Sequence, residues 1–459
     1  MSTPVTCVVE PLSIRPNLLA LHAAQPERYP YLLQSVVQGT PRARYDILFA
    51  FPGESLVWQS TGELDRGGSR LSTTDFFSEL DGDWARQRIA CSSQDSPRLP
   101  FNGGWFLFLA YEALTLVEPT VKGLRYDPAL PLAAAIRIPA AVIYDHVSGI
   151  GQFVCETSLA TDLLPMMRGD VKSLRPAACS PIAVQDLTED DPMVFLEGVE
   201  RVLEYIRAGD VFQVNLSRGW HARLAVEDRP YALYHALCTA NPAPFAGHMT
   251  LPGGRAVVSS SPERLVQVRN GMVSTRPIAG TYPRSHEIDQ DHAWSRELLA
   301  HPKERAEHVM LIDLERNDLG RVCQSGSVKV KDLMTLESYR HVHHIVSEVR
   351  GQLRPEITPG QVLRAVFPGG TITGCPKVRC MQIIAELEQA PRGAYTGSMG
   401  YLNRDGSMDL NILIRTMVQD RCDVRLRAGA GIVADSQPER ELNETRAKAR
   451  GMLAALGAA

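Results

Sequence analysis

Two carboxylates and an ammonium recur at helical spacing near the end of the chain. Glu441, Glu444 and Lys448 occupy positions i, i+3 and i+7 within PERELNETRAKA. Residues so spaced lie on one face of a helix. Just upstream, AGAGIV alternates Gly429 and Gly431 with small residues in a β-like run to Val433, and residues 435–438 form a turn. Glycine at those two positions lets a ligand approach the backbone closely, with N–H groups free to donate. A divalent cation and an anionic substrate suit that combination. The same spacing also describes an ordinary solvated charged face, so this segment alone leaves both readings open.

Other residues have types that need partners. Glu307 lies at −3, −4 and −7 from Met310, Leu311 and Leu314, on the apolar face of a helix expected over 302–319. A carboxylate there is costly unless paired or coordinated, or else it sits at the stripe's edge and reaches solvent. Arg415 interrupts an apolar run between Ile414 and Thr416, where a guanidinium either pairs internally or receives a carboxylate. FPGGTITGCPK is a Gly-rich turn entering a helix, with Pro376 in its first turn. A helix N-terminus behind GGT is an anion site, but the motif is neither a Walker A nor GxGxxG, so no nucleotide site is indicated. His341, His343 and His344 fall in a β-type run, where alternation sends His344 to the face opposite the other two. That argues against a three-histidine metal centre.

Periodicity supplies the elements that position these groups. YPYLLQSV, RARYDILFAFPG and the continuous apolar run in FNGGWFLFLAYE read as strands, and 133–144 pairs with 150–155 around Ser148 and Gly149. An amphipathic helix over 195–208 precedes the strand VFQVNLSRGW, and a helix over 231–240 stops at NPAPF. Hairpins follow at HMTLPGGRAVVSSS and RLVQVRNGMVSTRPIAG, the second with an Asn270–Gly271 turn, and residues 393–433 form an antiparallel meander. The polar, proline-containing stretch 168–190 reads as a linker between an N-terminal region, 1–180, and a catalytic domain, 190–457.

The totals exclude several classes. A net charge of 48 − 52 = −4 gives no basic excess for nucleic acid or an anionic membrane. Nine widely spread cysteines with no CxxC pair argue against a disulfide framework and a structural zinc. The longest apolar run, FLFLA, is too short to span a bilayer, and the start shows no basic-then-apolar leader, so a cytoplasmic location is expected.

Taken in order, GDVFQVNLS, NPAPF, SSSPERL, RPIAGTYPR, ERAEHVMLIDLERNDLGRV, YRHVHHIVS, FPGGTITGCPKVRCM, GAYTGSMGY, MDLNILIRT and AGAGIVADSQPERELNETRAKA resemble the chorismate-utilising enzymes. YLLQS, RYDI and FNGGWFLFLAYE extend the resemblance more loosely into the N-terminal third. It implies an α+β fold of large antiparallel β-sheets in a sandwich with helices outside. It also implies one Mg²⁺, with Glu307, Glu441 and Glu444 matching the metal positions. Thr371, Tyr395, Arg415, Gly429, Gly431 and Lys448 match positions that hold the two carboxylates of chorismate. His344 matches the histidine beside the reacting ring and Glu263 the general acid for the 4-hydroxyl, and Lys448 joins both in the catalytic set.

Gln213 stands where the isochorismate- and salicylate-forming branches carry a lysine that activates water. Glutamine takes no proton at neutral pH, which leaves the ammonia-using branches. QVNL, NPAPF and the chain length resemble the branch that forms 4-amino-4-deoxychorismate for 4-aminobenzoate and folate. The amino group would come from a glutamine amidotransferase subunit on a separate chain. Ala279, in PIAGT, stands where many members of that branch carry an attacking lysine, and the anthranilate-forming branch shares the alanine, which makes it the alternative. Gln34, in YLLQS, replaces the acidic residue of a tryptophan-binding LLES motif, so tryptophan inhibition is expected to be weak or absent.

Overall fold

A computed structural model describes residues 7–37, 43–89, 99–175, 181–227, 229–285, 287–338 and 342–458. Among them the strands assemble two twelve-stranded sheets. The inner faces meet through aromatic and branched side chains. Tyr31 of one sheet stacks on Phe106 of the other at 4.3 Å between ring centroids, and Phe49 meets Phe106 edge-on at 5.4 Å. The helices Leu18–Ala24, Ala160–Ser173, Pro230–Ala240 and Pro438–Ala455 contribute buried residues to a second core with the first sheet. The helices Pro302–Gly320, Pro359–Val366 and Lys377–Leu387 contribute to a third. This is the expected α+β sandwich with helices outside.

The expected division at 180–190 does not follow the sheets. Tyr31–Gln34 pairs antiparallel with Phe245–Leu251, and Gly104–Leu109 with Ser398–Asn403, so each sheet joins both regions. Their backbone donors and acceptors find partners two to three hundred residues away. The polar linker is also largely structured. Residues 168–173 close the helix Ala160–Ser173, which buries Leu164 and Met167, and Val184–Glu189 pairs as an edge strand with Gln213–Leu224. An edge strand with one wet face keeps polar residues, so composition alone reads it as loop. Residues 176–180 lie outside the described part.

Two local features place the functional residues. Thr416–Asp420 pairs with Asp423–Ile432 only as far as Leu426, whereas Gln213–Leu224 follows the same strand to Ile432. The first sheet therefore forks, and Gly429 and Gly431 lie beyond the fork. The expected continuous strand through Arg415 is broken: the neighbouring strands end at Asn411 and begin at Thr416, and Arg415 adopts φ +53°. Elsewhere local chemistry gives the anticipated turn, with Asn270 and Gly271 both at positive φ, as a type I′ hairpin requires.

Candidate active site

Gly429 and Gly431 form a floor where side chains cannot fit. A Cβ on Gly429 would lie 2.7 Å from Asn215 Oδ1, Leu216 O and the Tyr395 hydroxyl, and one on Gly431 would enter the Gln213 amide. The register explains this: Asn215 opposes Gly431 and Ser217 opposes Gly429. Tyr395 is buried, and the Arg392 guanidinium lies 5.6 Å from its ring centroid. Arg392 pairs with Glu388 at 2.6 Å, and Glu388 accepts from the Ser217 hydroxyl at 2.9 Å. The i, i+4 spacing of Glu388 and Arg392 was the sequence signal for this support.

Above the floor, Lys448 Nζ donates to the Gly429 carbonyl at 3.0 Å and pairs with Glu444 at 2.6 Å. Glu307, half-buried on the helix Pro302–Gly320, accepts from Gln213 Nε2 at 2.8 Å. Burial pushes its carboxyl above the ordinary range, with the charges of Glu304 and Glu444 adding to the effect and Lys448 opposing it. Glu307, Glu444 and Lys448 thus lie within electrostatic reach of one another. Glu441 is buried on the same helix as Glu444 and Lys448. Among the described residues no three His, Cys, Asp or Glu side chains gather closely enough to hold a metal ion.

The acid and the imidazole occupy buried positions. Glu263, 5% exposed, accepts from Thr371 Oγ1 at 2.6 Å; Thr371 lies on the single turn Gly370–Ile372. Burial raises the Glu263 carboxyl to about 7, against the lowering effects of Thr371, Arg415 and Lys448. His344 is held by the Gly280 backbone, and burial, with Arg415 nearby, pushes it down to about 4, so its ring is neutral at pH 7. Arg415, half-buried, is charged beside Tyr395, Glu263 and Glu444. Ala279 is buried opposite Ile345, directly before the glycine that holds His344. His343 is turned elsewhere, bonded to Ser338 at 2.7 Å and Asp291 at 3.0 Å, and His341 lies outside the described residues.

The structure thus gathers Glu263, Thr371, His344, Arg415, Gly429, Lys448, Glu444 and Glu307 by contact or charge. Sequence reasoning missed the buried group behind them. Lys377 Nζ pairs with Asp318 at 2.6 Å, and Glu315 lies 3.3 Å from where a Cβ on Gly370 would stand. Burial and the charge of Asp318 raise the Glu315 carboxyl. The i, i+3 carboxylates of ERND were the available signal. Among the described residues no helix is long and apolar enough to cross a membrane.

Known proteins share this arrangement of chain. A Synechocystis relative named anthranilate synthase component I-like protein is 41% identical over 359 residues, covering 78% of this chain and 73% of that one. Aminodeoxychorismate synthase component 1 of Bacillus subtilis is 39% identical over 371 residues, covering 78% and 77%. The crystal structure of anthranilate synthase component I from Streptococcus pneumoniae superposes with a TM-score of 0.78 at 33% identity, covering 91% of this chain and 93% of that one. The family model for chorismate binding enzymes matches residues 31–454, through both sheets and the whole glycine-floored site, and the chain belongs to that family.

Proposed function

We propose that the protein aminates chorismate to 4-amino-4-deoxychorismate, with Mg²⁺ bound and with ammonia from a glutamine amidotransferase subunit. The observation that carries the ammonia reading is Gln213, whose amide is held by Glu307 at 2.8 Å. An amide in that place accepts no proton from water, so the nucleophile must bring its own basicity. Chorismate is a dianion, and Arg415 and Lys448 supply positive charge beside a floor too tight for any side chain. Glu263, near half protonated at pH 7, is matched to donate a proton to the leaving 4-hydroxyl. His344, kept neutral by burial, is available to bound chorismate as an uncharged imidazole.

The chemical type of the donors suits Mg²⁺, although the three carboxylates do not gather closely enough in this structure to hold it. Carboxylate oxygens are its preferred ligands, and the crowding of Glu304 and Glu444 charge on Glu307 is what a cation would relieve. Glu307, Glu441 and Glu444 would hold it, and there it would supply charge to neutralise a substrate carboxylate.

Amination at C4 is favoured by QVNL and NPAPF. The second reading, anthranilate formation, is supported by Ala279, which offers no nucleophile, and by relatives that carry that name. Product identification separates them. Purified protein, chorismate, Mg²⁺ and ammonium are incubated at alkaline pH and the product is read by mass spectrometry. A product that retains the enolpyruvyl group and yields 4-aminobenzoate with an added lyase is expected; fluorescent anthranilate formed directly overturns the 4-amino assignment.

A further inference from the structure

We propose that Gln213 and Asn215 form a subsite for ammonia, their side-chain oxygens accepting two of its N–H groups. The proposal rests on the ammonia-using reading above. The two residues lie two apart on the strand Gln213–Leu224, so they share the face that meets Gly429 and Gly431. Gln213 is 4% exposed and Asn215 9%. Gln213 Oε1 and Asn215 Oδ1 are both buried without a hydrogen-bond partner. Buried acceptors in native proteins are almost always satisfied, and each orphan calls for an explanation.

The Gln213 amide is oriented by its side-chain bond, and Asn215 is fixed at its backbone. Gln213 Nε2 is committed to Glu307, so the oxygen is the end left free. Asn215 is anchored by its backbone, its N–H donating to Thr373 O at 2.9 Å and its carbonyl accepting from Arg392 at 2.7 Å. Its Oδ1 reaches over the floor, to 2.7 Å from the Cβ position of Gly429. Two unpartnered acceptor oxygens on one face of the strand suit a small N–H donor. Ammonia has three such hydrogens and one lone pair. Holding two hydrogens leaves the lone pair free to face the ring. Water would be held equally well, but neither amide takes its proton, so binding there does not activate it.

The test is the Michaelis constant for ammonium, measured without amidotransferase in the wild type, Asn215→Val and Asn215→Asp. Valine removes the acceptor and suits a strand; aspartate keeps acceptor oxygens. In Asn215→Val the ammonium KM should rise about tenfold, with the chorismate KM within about twofold of wild type. Asn215→Asp should keep its ammonium KM within about threefold of wild type. An unchanged ammonium KM in Asn215→Val, or a rise shared equally with the chorismate KM, overturns the subsite. If Asn215→Val does not fold, Asn215→Asp carries the test, and a raised ammonium KM there overturns it. A wild type that makes no product from ammonium refutes the ammonia-using reading itself, which is a different failure.

Discussion

The raised carboxyl of Glu263 ties activity and stability to one proton. Its movement from the ordinary 4.5 to about 7 reflects burial that outweighs Thr371, Arg415 and Lys448. That displacement corresponds to about 3 kcal/mol of preference for the neutral form. As a proton donor Glu263 must be protonated, so kcat/KM should be level below pH about 7 and fall about tenfold per unit above it. Stability follows the same proton. The unfolded chain releases it near 4.5 and the folded chain near 7, so between those values the unfolded state binds fewer protons and stability falls as pH rises. Glu263→Gln removes the ionisation while leaving an oxygen for Thr371. It should lose about 10²–10⁴-fold in turnover. It should also melt higher than wild type at pH 8, where wild-type Glu263 is charged. The assay is a pH profile at constant free ammonia with thermal melts of both proteins across the same range. A level profile from pH 6 to 8.5 would refute the argument. So would a Glu263→Gln variant that is nearly fully active or less stable at pH 8.

Three further substitutions probe the remaining site. Glu444→Gln should abolish Mg²⁺-dependent turnover, because a neutral amide is a poor ligand for a hard cation; near-normal activity removes Glu444 from the metal shell. Gly429→Ala puts a methyl 2.7 Å from the Leu216 carbonyl, which is backbone and cannot retreat. It should cost about 1–3 kcal/mol of stability and prevent chorismate binding, measured by denaturant melts and substrate titration; intact binding would show the floor is not used. Ala279→Lys should change the product ratio or stall turnover, and an unaltered product profile would show that this side chain does not face the ring.

Spacing shows which residues share a face, and the fold then determines what that face meets. Glu441, Glu444 and Lys448 were legible as one helical face, since i, i+3 and i+7 depend only on local geometry. That Lys448 bonds the Gly429 carbonyl, nineteen residues back, depends on how the helix lies over the strand. Glu307 was legible as a misplaced carboxylate on an apolar stripe. Its partner Gln213, ninety-four residues away, could not be found from periodicity. The strands were mostly legible too, because alternation and turn residues are local. Their order was not: Tyr31–Gln34 joining Phe245–Leu251 is a pairing chosen by the whole core. The same limit explains why Asn215 entered only as a letter in QVNL. Its importance lies in an oxygen with no partner, and a missing hydrogen bond is visible only after every neighbour has been placed. The candidate side chains were therefore readable from sequence, whereas the fork in the sheet that brings them together is a tertiary property. Arg415 shows the connection between the two. A guanidinium in an apolar run signalled a residue that needs a partner, not a broken strand, and the break at φ +53° adjoins the edge of the sheet that the glycine floor needs open.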